Sequence, residues 1–174
     1  KAIFGYGNSG SVTAITNLVS NTGVVAADTT GVGTARQNPA AAGYGSDKAI
    51  FGYGYTGSNL SMTNLVSNTG VVATDTTGVG TARYNLASAT YGSDKAIFGY
   101  GDTGSVTAIT NLVSNSGVVA TNTTGVGTAR QGPAAAGYGS SGQAIFGYGT
   151  NATPAVSMTN LVSNTGVVAN DVTG

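Results

Sequence analysis

Three arginines stand at one recurring place in the chain. Arg36, Arg83 and Arg130 each follow Gly-Val-Gly-Thr-Ala, 47 residues apart. A guanidinium is a planar fork of donors that matches a carboxylate or a sulfate, so three of them on one face could grip such an anion. The competing role for the same residue is to anchor a loop on backbone carbonyls or a nearby Asp. Asp28, Asp75 and Asp171 also recur, with Asn122 in the third position. They fit either a side-chain-to-backbone turn or one corner of a calcium site, which needs about 6 to 8 oxygen ligands. Most of the nine tyrosines keep fixed places, but Tyr55 and Tyr84 break the pattern and fall in expected loops. That makes these two the candidates for exposed contacts, as stacking platforms for a sugar or a partner side chain. The candidate ligand-binding residues are therefore Arg36, Arg83, Arg130, Tyr55 and Tyr84.

Other chemistry is scarce. Glu, His, Cys and Trp are all absent and only 7% of residues are charged, six basic against six acidic. The usual general base, the thiol nucleophile and most transition-metal ligands are thus missing. The composition points away from an enzyme, and no cofactor or metal is expected. Nor is there a basic field to hold nucleic acid. The apolar runs fall well short of the roughly 20 residues that cross a bilayer. Glycine pairs such as Gly31-Val32-Gly33 lack the helix and lysine of a phosphate loop and read as turns. Asn-x-Thr occurs at Asn122 and Asn151, glycan acceptors only where the chain meets that machinery.

The elements that must carry these residues come from a repeat. Lys-Ala-Ile-Phe-Gly-Tyr-Gly opens at Lys1 and returns at Lys48 and Lys95, then at Gln143 with its first residue changed. The units run over about 1–47, 48–94, 95–142 and 143–174 of a single repeat domain, the last without the Ala-rich strand. Lys1 begins in mid-pattern, as expected of a mature or excised segment.

No stretch has a sustained helical period, so the units read as all-β, with four strand-length runs in each. Leu86 to Tyr91 and Lys95 to Tyr100 form one hairpin around Gly92-Ser93-Asp94. Lys48 to Tyr53 leads to Leu60 to Ser67, and Asn68-Thr69-Gly70 turns the chain into Val71 to Thr74. Alternation along Ala49-Ile50-Phe51-Gly52-Tyr53 puts Phe51 and Tyr53 on one face. Both faces are apolar, as for a strand between stacked sheets, with Gly52 admitting a close neighbour. The runs Ala40 to Tyr44, Ala87 to Tyr91 and Ala134 to Tyr138 are poor strands by propensity. Small side chains suit them to a crowded hub.

Four antiparallel strands with a period in the forties describe a β-propeller blade. The succession of Arg83, a small-residue strand and Lys95-Ala96-Ile97-Phe98-Gly99-Tyr100-Gly101 resembles the kelch repeat, which implies kelch-like blades; β-solenoid or fibre arrays are the alternatives. The Ala-Ile-Phe-Gly-Tyr-Gly arrays are also similar to uncharacterised repetitive proteins of aquatic phages and environmental sequences. Copies one and three share Gly-Ser-Val-Thr-Ala-Ile, and copies two and four share Ser-Met-Thr. Duplication of a two-unit module would favour an even number of blades.

The expected role is a non-catalytic structural or interaction module in an extracellular or virion-associated setting, presenting loops to a glycan or protein. Unpaired strand edges would favour self-association that completes a ring or array. The alternative is a designed or consensus-like self-assembling scaffold without a ligand; an enzyme is the least favoured reading.

Overall fold

The four Phe-Gly-Tyr-Gly strands each belong to a separate small sheet, as the middle strand in three of them and as one of two strands in the first. The computed structural model describes residues 1–151 and 155–174. It contains β1 (Ala2–Asn8), β2 (Val12–Val19), β3 (Ala40–Tyr44), β4 (Lys48–Tyr55), β5 (Asn59–Val66), β6 (Ala87–Tyr91), β7 (Lys95–Gly99), β8 (Thr110–Val113), β9 (Ala134–Tyr138), β10 (Gln143–Gly147) and β11 (Thr159–Val162). Sheet I is β1-β2, sheet II β3-β4-β5, sheet III β6-β7-β8 and sheet IV β9-β10-β11, all antiparallel. The described residues include no helix.

Turn chemistry sets the hairpins. Gly92 and Ser93 sit at φ 58° and 69°, and Gly45 and Ser46 at 56° and 68°. Two successive left-handed residues match the twist of the strands they join. Tyr91 therefore pairs with Lys95, and Ala87 with Gly99.

The fourth run of each unit departs from expectation. Rather than a strand from Val71 to Thr74, the chain touches β5 at two bridges, Val66 with Val72 and Thr63 with Thr76. Between them the Asn64 side-chain amide donates to the Ala73 carbonyl at 3.0 Å. Asn111 and Asn160 do the same to Ala120 and Ala169. A side chain has taken over the rung that a ladder bond would have made, so the edge stays irregular.

Strict alternation also fails at one residue, with consequences for the core. Register shifts between Gly52 and Gly54, and Tyr53 adopts φ 64°. This bulge turns Tyr53 away from the face of Phe51. Phe51 points to sheet I, its ring edge-on to Tyr6 at 5.1 Å between centroids, while Tyr53 points to sheet III and meets Phe98 at 5.2 Å. Tyr100 meets Phe146 of sheet IV in the same way.

Each sheet thus presents a phenyl ring to the sheet before it and a glycine and tyrosine to the sheet after it. Phe51, Phe98 and Phe146 are buried, as are Ile50, Ile97, Val66, Val113 and Val162. The inner strands β3, β6 and β9 lie side by side. Ser88 Oγ donates to the Ala41 carbonyl at 2.7 Å and Thr90 Oγ1 to the Gly43 carbonyl at 2.9 Å. The all-β expectation holds. The four sheets do not close into a ring, and the outward faces stay open: Phe4 is 64% exposed on sheet I and Tyr148 60% exposed on sheet IV.

Candidate functional site

The three arginines lie between sheets, with no exposed surface on any of them. Each guanidinium stacks on a bulge tyrosine, Arg36 over Tyr6 at 4.0 Å, Arg83 over Tyr53 at 4.2 Å and Arg130 over Tyr100 at 3.9 Å from the ring centre. A cation held against an aromatic face away from water gains about 2 kcal/mol, which offsets part of its desolvation. Nη1 of each donates to the carbonyl of Thr34, Thr81 or Thr128 at 3.1 Å. Arg36 and Arg130 also donate to Asn64 and Asn160 of the following sheet, at 2.8 and 2.7 Å. These are the bonds of a residue that anchors a loop. Burial pulls the Arg36 and Arg83 guanidinium pKa values below the usual one and pushes the Tyr6, Tyr53 and Tyr100 hydroxyls up.

The recurring aspartates complete the same joints. Asp75 accepts from the Thr34 amide at 3.0 Å and the Thr34 hydroxyl at 2.6 Å, and Asp171 repeats this on Thr128. Burial alone would raise these carboxyls. Bonds from Thr and Asn side chains and the Thr amide, with the nearby arginine, outweigh it and hold both below the ordinary range. The clasp joins residues 41 and 43 apart, in loops of successive repeat units, which local sequence could not reveal. Asp28 instead lies on the open face of sheet I, where it accepts from Asn17. Among the described residues no three acidic or sulfur or imidazole groups converge as a metal site would need.

The third position shows what the missing charge changes. Asn122 takes the aspartate's place, accepting from the Thr81 amide at 3.1 Å and donating to its hydroxyl at 2.7 Å. Here Arg83 turns its Nε to the Tyr100 carbonyl at 2.9 Å. Its Nη2 and Asn111 Oδ1 are left without partners, where in the other two joints it is Nε of Arg36 and Arg130 that has none. The Asn122 side chain of the glycan motif is thus engaged inside a joint, and the Asn151 motif runs into residues 152–154, outside the described residues.

The surface feature that can contact a ligand lies on the loop edge beyond the bulges. Tyr55 pairs with Gln37 and Tyr84 with Asp102 through reciprocal backbone bonds of 2.9 to 3.1 Å. These pairings bring Tyr55 and Tyr84 together, ring centres 5.2 Å apart and tilted by 42°. Both rings are half-buried. Polar side chains continue the edge on either side: Asn8 donates to Gln37 at 2.9 Å and Asn85 to Gln131 at 3.0 Å. The arrangement is a neutral strip of amide groups with an aromatic pair at its middle. Such a surface can stack an apolar ring face and hydrogen-bond the hydroxyls around it. The sequence marked both tyrosines as out of pattern, but their ring contact depends on two separate backbone pairings, Gln37 with Tyr55 and Tyr84 with Asp102.

No protein-family model matches this chain, and a search of curated proteins finds no match.

Proposed function

We propose that the chain is a non-catalytic interaction module whose loop edge contacts a neutral glycan or a protein surface. The observation that carries this reading is the Tyr55–Tyr84 pair set in a strip of amide side chains. A module with 7% charged residues and no His, Cys or Glu offers recognition by stacking and neutral hydrogen bonds rather than by charge. In this reading the sheets are kelch-like blades with their small-residue strands toward a hub; four small antiparallel sheets whose strands β3, β6 and β9 lie side by side support it. Display at a cell exterior or on a virion suits such a weak site, which self-association would multiply and multivalency would strengthen. Titration with a panel of neutral oligosaccharides, followed by the Tyr55 and Tyr84 resonances, tests the proposal. Binding that Tyr55→Ala and Tyr84→Ala weaken supports it. No response across a glycan array and a protein-display screen would leave a ligand-free scaffold.

Self-association is the second part of the reading, and it rests on complementary ends. Phe4 projects from sheet I as Phe98 projects from sheet III, while Gly147 and Tyr148 present the seat that Gly52 and Tyr53 give to Phe98. A head-to-tail contact of this kind does not close by two-fold symmetry and would build rings or filaments. Light scattering checks it: mass rising with concentration, and falling for Phe4→Ala, is the expected result. A monomer at all concentrations would refute it.

A further inference from the structure

Three places in the repeat are equivalent, and each is filled by a different pair of side chains. At each, the glycine after a bulge tyrosine donates its amide to an arginine carbonyl: Gly7 to Arg36 at 2.8 Å, Gly54 to Arg83 at 3.0 Å and Gly101 to Arg130 at 2.9 Å. The residues that follow these partners are Asn8 with Gln37, Tyr55 with Tyr84, and Asp102 with Gln131. The first pair is joined by a side-chain hydrogen bond of 2.9 Å. The second puts two phenol rings in contact, their centres 5.2 Å apart. We propose that Tyr55 and Tyr84 form a site of oxidative modification, where a one-electron oxidant of the peroxidase class joins the two rings into a dityrosine that straps sheet II to sheet III.

The chemistry balances between the pair and its oxidant. Each phenol gives up one electron and its hydroxyl proton, and the two phenoxyl radicals form one carbon-carbon bond between positions ortho to oxygen. Each of those carbons then releases its hydrogen as a proton and a proton returns to each oxygen, so both phenols are restored. The chain loses two electrons and two protons, which one hydrogen peroxide takes up as two water molecules. Coupling of free phenols is bimolecular, and rings already held side by side make it unimolecular. The reaction needs no ligand on the strip.

Position and exposure single out this pair. Both rings are half-buried at the loop edge, where an oxidant can reach them. Among the described residues every other aromatic contact pairs a tyrosine with a phenylalanine, which has no hydroxyl to give a phenoxyl radical. Tyr6, Tyr53 and Tyr100 stack against arginines and donate their hydroxyls to the Val32, Val79 and Val126 carbonyls. Tyr44 and Tyr91 are buried in the core, and Tyr138 and Tyr148 are exposed with no tyrosine ring beside them among the described residues. The strap falls at the joint where Asn122 stands in for an aspartate and Arg83 Nη2 lacks a partner.

The test oxidises the whole chain at micromolar concentration with a peroxidase and hydrogen peroxide. The expected product is a monomer lighter by two hydrogens, with dityrosine fluorescence and a proteolytic fragment that links Tyr55 to Tyr84. Tyr55→Phe and Tyr84→Phe keep both rings but remove one phenol, and each should cut the intrachain product at least about tenfold, as should oxidation in urea, where the rings are no longer held together. The cross-link closes the loop between residues 55 and 84 and should raise the thermal midpoint by about 5–15 °C. No linked product, linkage mainly between molecules through Tyr138 or Tyr148, intrachain product that survives either phenylalanine substitution or urea, or an unchanged midpoint of the linked chain would overturn the proposal.

Discussion

Replacing the glycine of the Phe-Gly-Tyr-Gly strand by alanine makes one chemical change in different surroundings. The backbone tolerates it at Gly52, Gly99 and Gly147, none of which has a positive φ. At Gly99 the new methyl would lie 2.7 Å from Phe146 Cζ and 3.1 Å from two more ring carbons; at Gly52 it would lie 2.8 Å from Phe98 Cζ. Carbon contacts are favourable near about 3.5–4.0 Å, so each ring must retreat by most of an ångström. Overpacking of this size costs about 1–3 kcal/mol, against about 0.4–1 kcal/mol gained by stiffening the unfolded chain. The net expectation for Gly52→Ala and Gly99→Ala is a loss of up to about 2.6 kcal/mol, with about 1.3 kcal/mol at the middle of both ranges. Gly147 differs because no sheet follows it. Its methyl would meet only the Thr159 methyl, at 3.3 Å, leaving the small gain from the unfolded state. Thermal and urea unfolding followed by circular dichroism should therefore separate the variants in sign. At about 2–4 °C per kcal/mol for a chain of this length, Gly99→Ala should lower the midpoint by several degrees while Gly147→Ala raises it slightly. Equal shifts in Gly99→Ala and Gly147→Ala would mean that no phenyl ring sits on Gly99, and the stacking of sheets would be wrong.

Truncating the ring itself should show the same contrast: Phe98→Ala, fully buried, should lose about 3–5 kcal/mol in urea unfolding, whereas the exposed Phe4→Ala should change stability by less than about 0.5 kcal/mol. Asn122→Asp gives Arg83 the carboxylate that Arg36 and Arg130 already have nearby, and should stabilise the protein by about 1 kcal/mol at neutral pH. Because Asp75 and Asp171 have lowered folded pKa values, that gain should be complete above the unfolded value of about 3.9 and vanish as pH falls through the folded one. Urea midpoints at pH 7 and pH 3 check both halves, and Asp75→Asn with Asp171→Asn should flatten the acid limb. Ala135→Ser should repeat on β9 the bond that Ser88 makes to Ala41, adding about 0.5–1 kcal/mol in the same assay.

The repeat made the strands and hairpins legible. Gly92-Ser93-Asp94 names its own turn, and the alanine runs are the strands β3, β6 and β9, which lie side by side. Two features were hidden because they arise between elements. Tyr53 changes face through a one-residue bulge, which strict alternation along Ala49 to Tyr53 cannot express. The Asn64 amide replaces a ladder rung, so a valine-rich run that looks like a strand becomes two bridges. The site was legible in part for the same reason. Tyr55 and Tyr84 stood out as breaks in the pattern, yet their ring contact follows from the pairing of Gln37 with Tyr55. Arg36, Arg83 and Arg130 gave both of their candidate roles in sequence, and only their stacking on Tyr6, Tyr53 and Tyr100 displays the anchoring bonds.

The left-handed tyrosine has a consequence for how the molecule comes apart. A side chain other than glycine held at φ 62° to 64° costs of order 1–3 kcal/mol and persists only where its surroundings insist on it. Tyr6, Tyr53 and Tyr100 are clamped between a guanidinium and a phenyl edge. Among the described residues Tyr148 shares this conformation with neither clamp, so sheet IV is expected to loosen first at Tyr148.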